Sequence, residues 1–195
     1  MIYLLRHGQT HFNVARRLQG ALDSALTPLG EAQAHAMGLA LRERVDPAQV
    51  TLFSSPQGRA VATARIVGAA MGLSSEPVPL ETLVEVSLGS WDGRTVEEII
   101  ATEPDGEERL NHVEWFFQSP DGDRFAPFRD RAALGLAQLR DHPSPIRIAV
   151  SHGVASRVLR GLHLGLSRQD MLAHHVPHGR IYQLQDGVID EIDCL

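Results

Sequence analysis

The sequence is poor in cysteine: Cys194 stands alone in 195 residues, so no intramolecular disulfide can form. That suits a reducing compartment. Basic residues are outnumbered, with 18 Lys plus Arg against 24 Asp plus Glu and a net charge of −6. Binding nucleic acid without sequence preference needs a basic face, so no nucleic-acid partner is expected. No apolar run approaches the ~18 residues that cross a bilayer. The opening Met1–Arg6 is short for a signal peptide and has no basic leader. A cytoplasmic protein with no membrane partner is therefore expected. Repeats, low-complexity tracts and linkers are also missing. The remainder is ordinary for a globular chain, at 43% apolar and 22% charged residues. One domain over residues 1–195 is expected, long enough to bury a core.

Three short apolar runs read as buried strands: Ile2 to Leu5, Val50 to Phe53 and Ile146 to Val150. Each is followed by polar residues and then a helical pattern. Thr27-Pro28 is a start signal for a helix from about Leu29 to Arg44, with Leu29, Ala32, Ala36, Leu39 and Ala40 inward. Further helices are expected over Gly58 to Gly68, Arg129 to Arg140 and Val154 to Leu164, and Thr95-Val96-Glu97-Glu98 has capping-box spacing. Ile181 to Leu184 and Val188 to Ile192 flank Asp186-Gly187 as a closing hairpin. Strands alternating with helices imply an α/β sandwich with a mostly parallel sheet. Residues 104–128 fit neither period and are bounded by Glu103-Pro104-Asp105-Gly106 and Ser119-Pro120-Asp121-Gly122. They read as a partly helical insertion near the site.

The strand ends carry the chemistry. They read Leu5-Arg6-His7-Gly8-Gln9-Thr10, then Ser54-Ser55-Pro56-Gln57-Gly58-Arg59, then Ser151-His152-Gly153. Ligands of open α/β sheets bind outside the carboxyl ends of strands. The topology would thus bring Arg6, His7, Arg59 and His152 to one edge as an anion site. Arginine's planar fork matches phosphate, and glycines after both histidines allow close backbone approach. Taken singly, Ser-His-Gly is a weak signal; the joint occurrence is the informative one.

Jointly these blocks resemble the histidine phosphatase superfamily, with its phosphoglycerate mutase-like three-layer α/β/α fold. Arg6-His7-Gly8 with Thr10 and Asn13, Leu18-Gln19-Gly20, Ser54-Ser55-Pro56 with Arg59-Ala60, Leu83 with Glu85, Gly89-Ser90-Trp91-Asp92-Gly93, and Ser151-His152-Gly153 follow the family order. The resemblance implies His7 as nucleophile and Arg6, Arg59 and His152 as phosphate holders. It implies Glu85 as acid and then base, with Asn13, Thr10 and Gly153 binding phosphate or substrate. The expected activity is a phosphomonoester phosphatase on a small-molecule substrate, working through a phosphohistidine. The alternatives are a cofactor-dependent phosphoglycerate mutase and a non-catalytic phospho-ligand binding protein. True mutases carry an extra basic segment after the glutamate, whereas Val86-Ser87-Leu88-Gly89 follows here. A homodimer is common in the family. Neither cofactor nor metal is expected: His7 and His11, and the group His174, His175 and His178, do not make a ligand set. The family commonly has asparagine near the last strands, where this chain has His178-Gly179, read as a loop histidine. Trp91 and Trp115 read as packing residues.

Overall fold

The computed structural model describes residues 1–194. Six strands form one sheet: Ile2–Arg6 (β1), Val50–Ser54 (β2), Val78–Pro79 (β3), Ile146–Ser151 (β4), Arg180–Gln185 (β5) and Val188–Asp193 (β6). Their order is β3-β2-β4-β1-β5-β6. β1 to β4 run parallel, β5 lies antiparallel to β1, and β6 antiparallel to β5. The expected closing hairpin is present, and Asp186 and Gly187 take φ of 50° and 76° at its two-residue turn. β3 escapes the sequence reading because two residues carry no period, and its proline suits an edge.

The helices are His11–Val14 (α1), Pro28–Arg42 (α2), Gly58–Met71 (α3), Val96–Thr102 (α4), Gly106–Leu110 (α5), Phe125–Asp141 (α6), Gly153–Leu164 (α7) and Arg168–Ala173 (α8). Side chains of β1 alternate between two cores. Ile2 and Leu4 pack with Phe128, Leu136, Val158 and Leu159 of α6 and α7. Tyr3 and Leu5 pack with Met37, Leu41, Ala64 and Val67 of α2 and α3. The sheet is thus covered on both faces, the three-layer arrangement expected, and its strands read as unbroken apolar runs for that reason. No helix of the described residues is long and apolar enough to cross a membrane.

Three boundaries and one face differ from expectation. α2 starts as read, with Thr27 Oγ1 accepting from Gly30 N, but it ends at Arg42, two residues early. Its buried residues are Gly30, Gln33, Ala34, Met37, Gly38 and Leu41, whereas Leu29 and Leu39 are exposed. The period was right and the phase was wrong, because α3 lies so close. A Cβ on Gly38 would stand 2.6 Å from Ala70 Cβ, so the smallest residues face the neighbouring helix rather than the leucines. α3 runs past Gly68 to Met71 and stops at Gly72, whose φ is 81°. α6 begins four residues early at Phe125, since Pro127 falls in its first turn, where no N–H is needed. The Thr95–Glu98 capping box forms as read. Residues 104–128 contain α5, a 3₁₀ turn at Trp115–Phe117 and the start of α6. Phe117 packs edge-on against Phe125 and Phe128, with centroids 5.5 and 5.6 Å away.

Candidate active site

Sheet register assembles the site. Arg6 pairs with Ser151, and Ser54 with Val150, so the residues just beyond β1, β2 and β4 meet at one edge. His7 N extends the β1 ladder by donating to Ser151 O at 3.0 Å. The next residue must be glycine, because a Cβ on Gly8 would fall 2.2 Å from Gly30 O. The His7 ring is 3% exposed. Its Nδ1 lies 2.8 Å from the Gly8 carbonyl. A carbonyl only accepts, so Nδ1 carries the hydrogen and Nε2 keeps a free lone pair. Burial, then the Arg6 and Arg59 charges, hold the imidazole well below its ordinary pKa, so it is neutral at neutral pH.

His152 stands 5.2 Å from His7, ring to ring, fully buried with Nε2 2.8 Å from Ser55 Oγ. Burial, Arg59 and His7 push its pKa well down too. Arg59, 1% exposed, is held by Leu22 O, Gly20 O and Asp23 Oδ1. Arg6 donates Nη1 to Val176 O at 2.6 Å. Burial pulls its guanidinium down to about 10 against the attraction of Glu85, so it stays charged. Arg6 Nε, Arg59 Nε, Gln19 Nε2 and His152 Nδ1 are among the buried polar atoms of the described residues that have no hydrogen-bond partner. Buried polar groups are normally paired. Unpaired donors grouped around a neutral imidazole are a cradle for an oxyanion.

Glu85 follows a 3₁₀ turn at Glu81–Leu83 and is 6% exposed. Its carboxylate sits on the first turn of α7. Oε1 accepts from Val86 N and Ala155 N, and Oε2 from Val154 N alone, all at 3.0 Å. Oε2 thus keeps more free acceptor capacity than Oε1. A Cβ on Gly153 would lie 3.6 Å from that oxygen and 3.8 Å from Arg6 Cζ, so Gly153 faces the gap between carboxylate and guanidinium. Arg6, His7, Asn13, Glu85 and Gly153 line a cavity of about 230 Å³. Among the described residues, no group of three or more His, Cys, Asp or Glu is placed to hold a metal ion.

Residues 2–186 match the histidine phosphatase superfamily, branch 1. The chain belongs to that superfamily. The probable phosphoglycerate mutase GpmB of Escherichia coli is 33% identical over 166 residues, 85% of this chain and 75% of that protein. Among solved structures, Bacillus stearothermophilus YhfR is similar with a TM-score of 0.79 at 30% identity, covering 97% of this chain and 93% of that one. A mycobacterial glucosyl-3-phosphoglycerate phosphatase has a TM-score of 0.78 at 28% identity, covering 98% and 95%.

Not every residue singled out from the sequence of this histidine phosphatase superfamily member faces the cavity. Arg59 and His152 are buried outside its lining. Thr10 is fully buried as well. Its Oγ1 accepts from Asn13 N at 3.2 Å and donates to Gln19 Oε1 at 2.8 Å. Thr10 therefore holds Asn13 and Gln19 rather than meeting a ligand itself. Sequence reasoning passed over Arg17, Phe116, Arg157 and Val176 of the cavity lining. Trp91 is packing as read, fully buried with its indole donating to Glu103, whereas Trp115 lines the cavity. His178 is not a free loop residue either. Its Nδ1 donates to His7 O at 2.8 Å, its ring lies 5.7 Å from that of His7, and burial with Arg6 lowers its pKa to about 4.

Proposed function

We propose that this chain is a phosphomonoester phosphatase that passes the phosphoryl group first to His7 and then to water. The observation that carries the reading is the state of His7: neutral, with Nδ1–H fixed on Gly8 O and Nε2 free, beside the Arg6 and Arg59 charges. Phosphoryl transfer needs positioning and charge neutralisation above all. Arg6 Nε and Gln19 Nε2, on the cavity lining, would take phosphoryl oxygens, and Arg59 would add positive charge from behind them. Nε2 attacks phosphorus as the ester P–O bond breaks, and the leaving oxygen takes a proton from Glu85. Water then attacks the phosphohistidine and gives its proton to Glu85. The N–P bond breaks, and neutral His7 and inorganic phosphate result. Glu85 Oε2, with a single N–H bond and beside Gly153, is the oxygen that would make both transfers. No cofactor or metal enters the scheme.

Similarity to a glucosyl-3-phosphoglycerate phosphatase over nearly the whole chain supports hydrolysis. The GpmB relatives favour phosphoglycerate mutase as the second reading. Against it, Glu85 is followed directly by Val86–Leu88 and a 3₁₀ turn at Gly89–Trp91, without the additional basic segment of true mutases. A rapid quench during turnover of a labelled phosphomonoester tests the proposal. Acid-labile, base-stable phosphate should appear on His7, and His7→Ala should hydrolyse nothing. Full activity in His7→Ala refutes the mechanism. Efficient interconversion of 3- and 2-phosphoglycerate with the bisphosphate makes the mutase reading correct. Binding without turnover of any phosphomonoester leaves a phospho-ligand binding protein.

A further inference from the structure

We infer that Arg157 forms a second anion subsite in the cavity, and that the molecule bound there is a small phosphomonoester whose leaving group ends in a carboxylate. Calling that molecule a substrate rests on the phosphatase reading; the subsite itself requires only that phosphate binds beside His7.

Arg157 lies one turn along α7 from Gly153, and both line the cavity. Residues four apart on a helix stand about 5–6 Å from each other. Gly153 faces the gap between Glu85 and Arg6. Arg157 is therefore about one helical turn from the reacting centre. Its guanidinium is half-buried and makes one hydrogen bond, from Nη1 to Leu172 O at 2.6 Å. It stands 5.0 Å from the centroid of the Phe116 ring. No carboxylate of the described residues pairs with it. Burial depresses its pKa, and the attraction of Glu85 only partly opposes this.

The neighbouring cations differ. Arg17 also lines the cavity, but its fork is closed on Glu98 at 3.1 and 3.2 Å and on Gly93 O. Arg6 belongs to the phosphate cradle. Arg157 alone of these three brings a charge without a carboxylate and without a role at phosphorus. A half-buried cation in this position is costly until an anion reaches it. The same cavity is lined by apolar Leu18, Leu88, Trp115 and Val176 and by polar Asn13, Arg17 and Gln19. The apolar members of the lining lower the local dielectric and strengthen a charge pair formed there. The cavity volume, about 230 Å³, lies below the roughly 300–1,000 Å³ typical of drug-sized ligands. Phosphate, a short spacer and a carboxylate satisfy the charge and the size together.

The test uses two phosphonates that cannot be hydrolysed, 3-phosphonopropionate and propylphosphonate, titrated calorimetrically into the wild-type protein, Arg157→Gln and Arg157→Lys. A charge-assisted contact of this kind is worth roughly tenfold or more in affinity. Wild type should prefer the carboxylate-bearing phosphonate by about that factor. Arg157→Gln should lose the preference while still binding propylphosphonate, which shows that it has folded. Arg157→Lys keeps a donor for Leu172 O but loses the planar fork, so its preference should be weaker than wild type's. No preference in wild type, or an undiminished preference in either variant, overturns the inference. Turnover assays separate its failure from that of the phosphatase reading. A phosphonate preference without hydrolysis of 3-phosphoglycerate or any other ester leaves the subsite standing and removes the phosphatase. Hydrolysis without a phosphonate preference does the reverse.

Discussion

Acidification should unfold this protein through three histidines. His7 and His152 sit well below their ordinary pKa and His178 falls to about 4, in each case first through burial. The charges facing them add to it: Arg6 and Arg59 repel a proton on His7 and His152, and Arg6 repels one on His178. In the unfolded chain a histidine titrates near about 6.5. Below that value the unfolded chain takes up protons that the folded chain refuses. Stability from these depressed groups is complete above the unfolded pKa and is lost as pH falls toward the folded one. Each histidine contributes about 1.4 kcal/mol per pH unit, or about 2 kcal/mol between about pH 6.5 and about pH 5. Three together remove about 6 kcal/mol, a large part of the roughly 5–15 kcal/mol that holds a domain folded. Urea titrations near about pH 7 and about pH 5, at one ionic strength, read the difference directly from midpoint and slope. His178→Asn keeps a donor for the His7 carbonyl and removes one titrating group, so its loss should be about one third smaller. A wild-type loss below about 2 kcal/mol, or a loss in His178→Asn equal to wild type's, would refute the reasoning.

Leaving-group chemistry tests Glu85: Glu85→Gln should slow the first step on an alkyl phosphate by about 10²–10⁴-fold and on nitrophenyl phosphate far less. Equal slowing in stopped-flow release of the two alcohols would leave Glu85 a positioning residue. Exhaustive chelation should leave phosphatase activity intact, and a loss restored only by a divalent ion would reveal a metal requirement. Thr10→Ala should cost about 1 kcal/mol of stability through the lost α1 cap. It should also raise KM, because Asn13 and Gln19 lose the hydroxyl that fixes them; an unchanged KM would separate Thr10 from the site.

The parts of the fold that could be read from the sequence are those in which one segment decides its own structure. β1, β2 and β4 are short apolar runs because both sheet faces are covered, and the polar residues at their ends are the ligand edge of any such sheet. Where two segments decide together, the reading failed. The inward face of α2 is set by how closely α3 approaches Gly38, which no helical period contains. His178 stands 171 residues from His7. It arrives there because β5 pairs antiparallel with β1, with Leu5 opposite Ile181. Arg157 is hidden for another reason. All 18 basic residues are arginines, so residue type does not separate it from those in surface ion pairs such as Arg65 with Glu76. Trp115 and Phe116 fall in a stretch with neither helical nor strand period. Thr10 shows the converse error: a polar residue beside Arg6-His7-Gly8 looks like a ligand contact, but its hydroxyl is consumed in capping α1.

One electrostatic arrangement accounts for both the acid sensitivity and the ligand preference. Arg59 is buried and Arg6 is part-buried. Within the site, Arg6 is opposed chiefly by Glu85, whose carboxylate is itself committed to the first turn of α7, and Arg59 by Glu85 and Asp23. Burial first, and then this surplus positive potential, keep His7, His152 and His178 unprotonated, which gives His7 its lone pair at neutral pH. A phosphate dianion meets the same potential from the other side. It takes the unpaired donors, offsets the burial of the arginines and stabilises the folded chain in proportion to its saturation. It also relieves the repulsion that depresses the histidines. Bound phosphate should therefore reduce the acid-induced loss of stability, and to a larger extent in wild type than in a chain whose Arg6 has been replaced by glutamine. A dianion that protects both proteins equally would mean that the histidines are held neutral by burial alone.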